Sequence, residues 1–237
     1  MKIGILVTGT APDELRDRYG SYADMFMQLL TPLAPGLDFQ CFAADEGALP
    51  PSVQSCDGWI ITGSRCGVYD ALPWMEPLKQ FIRAAWEARV PLVGICFGHQ
   101  IVASAFGAPV EKYAGGWGVG LHSYQLQGAY SFIEAGSTGF SLNAMHQDQV
   151  LALPEQAQLL ASSTFCPYAA LVYGNSILTF QAHPEFSVAF ERELIRLRLG
   201  SKVPEAVGRA GLATLTDSAR VDSERVGRWM LRFLQGA

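Results

Sequence analysis

The residue whose surroundings most clearly favour chemical reactivity is a cysteine that stands between two glycines. The segment Val93–Gln100 reads VGICFGHQ, so Cys96 stands between Gly94 and Gly98. A strand is predicted to end just before Cys96 and a helix to begin just after it, which is the nucleophile-elbow arrangement with cysteine in place of serine. A helix N-terminus at this point favours a thiolate. A lone cysteine is usually a small buried hydrophobe, but this context favours a nucleophile.

A base for this thiol is predicted at the end of another apolar strand. Of the four histidines, His183 follows such a strand directly, in the stretch FQAHPEF. The carboxyl ends of parallel strands meet at one edge of a sheet, so His183 can approach Cys96 there. Glu185, two residues further on, is placed to orient the imidazole. Each residue alone has an ordinary structural interpretation, but together they form a nucleophile, base and orienter set.

These segments resemble a known family. Gly94–Gln100 (GICFGHQ) together with His183-Pro184-Glu185 is similar to the class I glutamine amidotransferases, in the branch related to the amidotransferase domain of GMP synthase. The resemblance covers about residues 1–190. Three further stretches agree with it, and they are Thr62-Gly63-Ser64, Val68-Tyr69-Asp70 with Pro73-Trp74, and His146-Gln147-Asp148.

The resemblance implies a reaction and a fold. The fold would be a flavodoxin-like three-layer α/β/α sandwich with a mostly parallel sheet and added short antiparallel strands. Cys96 would attack a γ-glutamyl amide and form a γ-glutamyl thioester, which water hydrolyses. His183 would move the protons, and backbone N–H groups of Gly63 and Phe97 would hold the oxyanion.

Candidate substrate-binding residues follow from the same resemblance. Gln100 is expected near the bound glutamyl group, and Ser64 lies in the stretch that resembles the oxyanion loop. Arg65 is placed to reach a substrate carboxylate through its planar fork, although a solvated surface arginine is equally consistent with the sequence. His146 is ambiguous between substrate contact and a structural hydrogen bond. The histidines and cysteines show no ligand-type spacing, so no metal and no cofactor are expected.

The elements that position these residues follow from hydrophobic periodicity. Short apolar runs alternate with amphipathic stretches, which is typical of a parallel sheet covered by helices. Predicted strands are 2–7, 37–42, 58–62, 91–95, 120–126, 169–173 and 176–182. Predicted helices are 21–33, 74–89, 97–106, 188–199 and 220–234. The pattern is short and rich in turns from residue 115 to 174, which predicts extra antiparallel strands such as 120–126 and 169–173.

Composition narrows the class of protein. With 49% hydrophobic and 16% charged residues, the 237-residue chain has enough apolar sequence for one α/β domain. A net charge of -5 without a basic cluster argues against nucleic-acid and membrane partners. Five cysteines, an odd number without a CxxC pair, indicate free thiols and a cytoplasmic setting.

Several alternatives remain open at this point. Residues 1–237 are expected to form one family domain, with a core of about 1–190 and a helical extension over 191–237. No fused synthetase domain or phosphate-binding loop is present in the sequence. The chain is therefore expected to be a free-standing hydrolase of glutamine or another γ-glutamyl amide, or else the ammonia-supplying subunit of a separate synthetase. A non-catalytic binding module and a cysteine peptidase of the same architecture rank below these two.

Overall fold

A nine-stranded sheet runs through residues 1–236, the part of the chain that the computed structural model describes. The strands in chain order are β1 (Lys2–Val7), β2 (Asp38–Ala43), β3 (Gly58–Ile61), β4 (Leu92–Ile95), β5 (Val110–Lys112), β6 (Gly118–Leu126), β7 (Gly139–His146), β8 (Asp148–Val150), β9 (Gln158–Ser162), β10 (Ala170–Tyr173) and β11 (Ile177–Phe180). The sheet order is β2-β1-β3-β4-β11-β10-β9-β6-β7, and β5 pairs separately with β8.

Five neighbouring strands, from β2 to β11, are parallel, and the remaining four are added antiparallel. The inner strands β3, β4 and β11 are buried along their whole length and are apolar except for Thr179, as expected for parallel strands covered on both faces. The predicted α/β sandwich with antiparallel additions is confirmed. The antiparallel strand β6, with nine residues, is longer than the predicted 120–126, and β7, with eight residues, was not predicted.

Helices cover both faces of this sheet. They are α1 (Asp13–Tyr19), α2 (Tyr22–Leu30), α3 (Met75–Glu87), α4 (Phe97–Ala105), α5 (Val188–Arg198), α6 (Glu205–Thr214) and α7 (Ser223–Leu234). One core contains Phe26 of α2 and Trp229 of α7 together with Ile3 and Ile5 of β1. A second core on the opposite face joins α3 and α4 to the side chains of β3. The C-terminal helix α7 is therefore part of the main hydrophobic core.

A third hydrophobic core lies beside the first two. It joins Leu15 of α1 to Phe190 and Leu194 of α5, and to Val119 of β6. The sequence patterns predicted neither α1 nor β7. No helix within residues 1–236 combines the length and the hydropathy that crossing a membrane requires.

The sheet register brings three strand ends together. Ile61 of β3 pairs with Gly94 of β4, and Ile95 of β4 pairs with Phe180 of β11. The residues that follow these three parallel strands therefore emerge side by side at one edge of the sheet. That edge carries the candidate site.

Candidate active site

Cys96 occupies a sharply bent turn between β4 and α4. Its backbone has φ 54° and ψ -101°, outside the small left-handed well that L-residues tolerate. The bend is fixed on both sides, because the Cys96 N–H donates to the Phe180 carbonyl (2.8 Å) and the Cys96 carbonyl accepts from the Gln100 N–H (3.0 Å). Strained backbone held by its surroundings is a feature of functional turns. The turn is the elbow that the sequence predicted.

The two flanking glycines are required by close backbone approach. A Cβ atom on Gly94 would lie 2.6 Å from the carbonyl oxygen of Gly98. A Cβ atom on Gly98 would lie 2.5 Å from the carbonyl oxygen of Ile61 in β3. Only glycine fits at both positions, so α4 can begin directly against the sheet.

His183 is held in a fixed orientation beside Cys96. Its Nδ1 lies 2.8 Å from Oε1 of Glu185, and both side chains are buried. The imidazole stacks on the ring of Phe186 with 3.8 Å between centroids and 4° between planes. Its backbone N–H donates to the carbonyl of Asn143 on β7 (2.8 Å). Glu185 therefore fixes the ring by its nitrogen, and Phe186 fixes it by its face.

The charge state of His183 results from opposing effects. Burial acts to lower its pKa, but attraction to Glu185 and to Cys96, with hydrogen bonding to both, raises the pKa to about 10. His183 therefore favours the protonated form at neutral pH. An imidazolium beside a cysteine is the arrangement that stabilises a thiolate nucleophile.

Gly63 follows β3 and lies against this pair. A Cβ atom at Gly63 would be 3.1 Å from Cε1 of His183 and 3.8 Å from Cβ of Cys96. Phe97 is the first residue of α4, and its backbone N–H has no carbonyl one turn earlier in that helix to accept from it. The structure thus places Gly63 and Phe97, the two residues expected to supply the oxyanion donors, next to Cys96.

A cavity of about 530 Å³ opens in front of Cys96. All four predicted substrate-binding residues line it, and they are Ser64, Arg65, Gln100 and His146. Gln100 is already engaged, because its Nε2 donates to the carbonyl of Asp148 (3.0 Å) and to Oε1 of Gln181 (3.1 Å). Ser64 accepts from the Cys66 N–H (3.2 Å), and Arg65 is exposed.

His146 is a buried neutral histidine on the wall of this cavity. Burial is the main cause that lowers its pKa to about 3. Its Nδ1 lies 3.2 Å from the carbonyl of Asp148, and its Nε2 has no hydrogen-bond partner among residues 1–236. One ring nitrogen thus has a structural contact, and the other is buried without one within that range.

Most of the chain matches a known protein family. The family model described as "Glutamine amidotransferase class-I" matches residues 15–198. The chain belongs to this family. Among its curated relatives, a glutamine amidotransferase-like protein from Schizosaccharomyces pombe is 30% identical over 219 residues, which is 85% of this chain and 86% of the relative.

A plant relative and a solved crystal structure are also similar to this chain. Gamma-glutamyl peptidase 3 from Arabidopsis thaliana is 26% identical over 231 residues, covering 94% of this chain and 92% of the relative. The crystal structure of a glutamine amido transferase from Methylobacillus flagellatus superposes with a TM-score of 0.76 at 22% identity. It covers 99% of this chain and 94% of that one. The fold and the family resemblance predicted from the sequence are therefore confirmed.

Some residues at the site gave no signal in the sequence. Thr8, which follows β1, donates its backbone N–H to Oγ1 of Thr62 (3.0 Å) and its hydroxyl to the Thr62 carbonyl (2.9 Å), and so fastens the loop that carries Gly63. Gln181 places its Nε2 3.7 Å from Sγ of Cys96. Only the closeness of Gln181 to His183 in the chain could have suggested it.

Glu191 is the least expected residue near the site. It lies on α5 and is completely buried; burial is the main cause that raises its pKa to about 8. Its Oε1 accepts from the Gly120 N–H (3.3 Å), while its Oε2 has no partner within the described residues. The charges of His183 and Glu185 both act on it. A second buried carboxyl group therefore stands behind the Cys96 site.

Proposed function

We propose that the protein hydrolyses γ-glutamyl amides through a covalent thioester on Cys96, with His183 and Glu185 completing a catalytic triad. The observation that carries this proposal is the convergence of Cys96 and His183 at the ends of the neighbouring strands β4 and β11, with Glu185 on Nδ1 of the imidazole. Family membership and the gamma-glutamyl peptidase relative support it.

In the first half of the reaction, the Cys96 thiolate attacks the carbonyl carbon of the γ-amide. The N–H groups of Gly63 and Phe97 stabilise the negative charge that develops on the carbonyl oxygen. His183 donates its proton to the departing nitrogen as the C–N bond breaks. The products of this step are a γ-glutamyl thioester and a free amine, or ammonia when the substrate is glutamine.

In the second half, His183 is neutral and removes a proton from water. The resulting hydroxide attacks the thioester carbonyl, and the C–S bond breaks. Glutamate leaves and the cysteine thiolate regains its imidazolium partner. Glu185 keeps Nδ1 protonated and the ring oriented through both halves.

Hydrolysis as an end in itself is favoured over ammonia supply to a synthetase. The cavity of about 530 Å³ is larger than a glutamine carboxamide needs, and it leaves room for an amine on the far side of the scissile bond. The relative named a gamma-glutamyl peptidase matches over nearly the whole length of both chains. Ammonia delivery to a separate synthetase is the second candidate, because the family is that of the glutamine amidotransferases.

The test is steady-state release of glutamate by the purified chain alone. Glutamine, γ-glutamylmethylamide and γ-glutamylglycine serve as substrates, and Cys96→Ala is the blank. Turnover of about one per second or more on any of them, together with a γ-glutamyl adduct on Cys96 by mass spectrometry, is the expected result. Rates far below this on every amide, restored by a synthetase added from a cell extract, would instead favour ammonia delivery.

A further inference from the structure

The cavity in front of Cys96 carries an excess of positive charge. Four cationic side chains line it against two carboxylates, and these six residues are Arg65, Lys112, Arg198, Lys202, Asp70 and Asp148. The cavity is thus positive by two charges in a chain whose net charge is -5. Positive charge gathered in a concave site of a negative protein attracts anionic ligands.

In the described part of the chain, none of these four cationic side chains is held in an ion pair, although Lys112 lies opposite Asp148 where β5 pairs with β8 and attracts its carboxylate. Within residues 1–236, none of the four cationic groups lies within 4.0 Å of a carboxylate, whereas Arg83, Arg192 and Arg232 elsewhere all form ion pairs. The two carboxylates of the cavity are bonded to neutral donors. Asp148 accepts from the hydroxyl of Tyr69 (3.0 Å), and Asp70 accepts from the Gly67 N–H (2.9 Å).

A γ-glutamyl group alone does not use this charge. Its α-amino and α-carboxylate groups cancel, so the cavity keeps its excess of two positive charges after the glutamyl half is bound. Glutamine adds only a neutral amide nitrogen. An amine that itself carries a carboxylate would bring the missing negative charge to the far side of the scissile bond.

Two of the four cations stand on one short, ordered turn at the end of α5. The carbonyl of Arg198 accepts from the Lys202 N–H (3.0 Å) and from the hydroxyl of Ser201 (3.1 Å), and Leu199 bridges to Val203. This bonding fixes the backbone of the turn from which Arg198 and Lys202 line the cavity.

The same helix connects this turn to His183 and Glu185. It is capped by Ser187, whose hydroxyl accepts from the Phe190 N–H (3.1 Å), only two residues after Glu185. The match to the family model ends at Arg198, so the rest of the turn, including Lys202, lies just beyond the matched residues.

We propose that Arg198 and Lys202 select γ-glutamyl amides whose amine portion carries a carboxylate, by charge-assisted hydrogen bonds to that carboxylate. This assignment rests on the proposed hydrolysis for its reaction and on the charge of the cavity for its selectivity. It gives the turn after α5 the role of recognising the leaving side of the substrate.

The experiment compares two substrates that differ in a single charge. γ-Glutamylglycine ends in a carboxylate, and γ-glutamylglycinamide ends in a neutral amide of nearly the same shape. The ratio of their kcat/KM values is measured for the wild-type chain and for Arg198→Gln, Lys202→Gln and the double variant. Arg196→Gln is the matched control, because Arg196 lies exposed on the same last turn of α5 and does not line the cavity.

We expect the wild-type chain to prefer the acid about tenfold, the factor that corresponds to about 1.4 kcal/mol. In the double variant this ratio falls to about one, and in Arg196→Gln it stays as in the wild type. A wild-type ratio near one, or a preference that survives in the double variant, would overturn the proposal.

A binding measurement separates this inference from the proposed function. Calorimetry with Cys96→Ser, which cannot form the thioester, gives the affinities for the same acid and amide with and without the Arg198→Gln and Lys202→Gln changes. An acid preference that depends on these two cations supports the inference even if the active chain hydrolyses neither compound, a result that would refute only the hydrolysis. Equal affinities with turnover of both compounds refute only the inference.

Discussion

The carboxylate of Glu185 and the imidazole of His183 form a buried pair, with 2.8 Å between Oε1 and Nδ1. Because the pair is shielded from water, the carboxylate has a strong effect on the ring beside it. Burial acts to lower the pKa of His183, but Glu185 and Cys96 together outweigh it and raise that pKa to about 10. Removing the charge of Glu185 should therefore change both the position and the protonation of His183.

We expect Glu185→Gln to lower kcat about 100-fold, within the range that a positioned acid or base contributes. Cys96→Ala and His183→Ala should each remove nearly all turnover. Without the carboxylate, burial lowers the pKa of His183, so the alkaline limb of the kcat/KM profile moves to lower pH. Steady-state rates from pH 5 to pH 10 measure both effects. An unshifted limb would show that Glu185 does not set the charge of His183.

The double variant of Cys96 and His183 tests whether the two residues act together. Since neither residue is expected to support catalysis without the other, Cys96→Ala combined with His183→Ala should lower turnover little more than either change alone. Losses that add on a free-energy scale would mean that the two residues act independently.

Thiol labelling should distinguish Cys96 from its nearest competitor. Cys66 lines the same cavity and is half-buried. Cys166 is buried, and its burial is the main cause that raises its pKa to about 12. A glutamine-like alkylating agent should modify Cys96 first, since Cys96 has His183 beside it. Peptide mapping after limited labelling gives the order, and Cys66→Ser should leave the labelling rate unchanged. Modification of Cys66 ahead of Cys96 would contradict the elbow assignment.

Gly63→Ala should reduce catalysis more than stability. The added methyl group would lie 3.1 Å from Cε1 of His183, which is too tight unless the imidazole shifts by a few tenths of an ångström. A shift of the ring or of the Gly63 N–H misplaces a proton carrier or an oxyanion donor, and losing such a donor costs about 100-fold in kcat. Turnover and the thermal midpoint are both measured. A parallel loss of stability would instead point to general disruption of the loop.

The sequence predicted the parallel strands well for a physical reason. Strands buried on both faces are continuous apolar runs, and β3 and β4 lie within one residue of their predicted bounds. Helix α1 was not predicted because Leu15 is its only buried residue within the described structure, so it shows no apolar stripe. Strand β7 was not predicted because its buried face includes the polar side chain of Asn143.

The site could be predicted only as far as local motifs reach. Cys96, with its glycines, and His183, with Glu185, stand in short recognisable segments. The pairing of β4 with β11, which brings them together, joins strands more than 80 residues apart and has no local signal. Thr8 and Glu191 were missed for the same reason, because their roles depend on contacts with Thr62 and Gly120 across the fold.

The buried carboxyl of Glu191 should make stability depend on pH in a predictable direction. Burial raises its folded-state pKa from an ordinary 4.5 to about 8. The stabilising contribution of the neutral form is complete below pH 4.5 and is lost as the pH rises toward 8, because folding must hold a proton that the unfolded chain releases.

Glu191→Gln keeps a carbonyl oxygen for the Gly120 N–H and cannot ionise. The variant should therefore match the wild type near pH 5 and unfold at a clearly higher temperature near pH 8. Thermal unfolding across this range is the measurement, and Glu193→Gln, a partly exposed carboxyl two residues along α5, is the control that should show no such divergence. If the gap between Glu191→Gln and the wild type stayed constant from pH 5 to pH 8, Glu191 would not be the buried neutral acid described above.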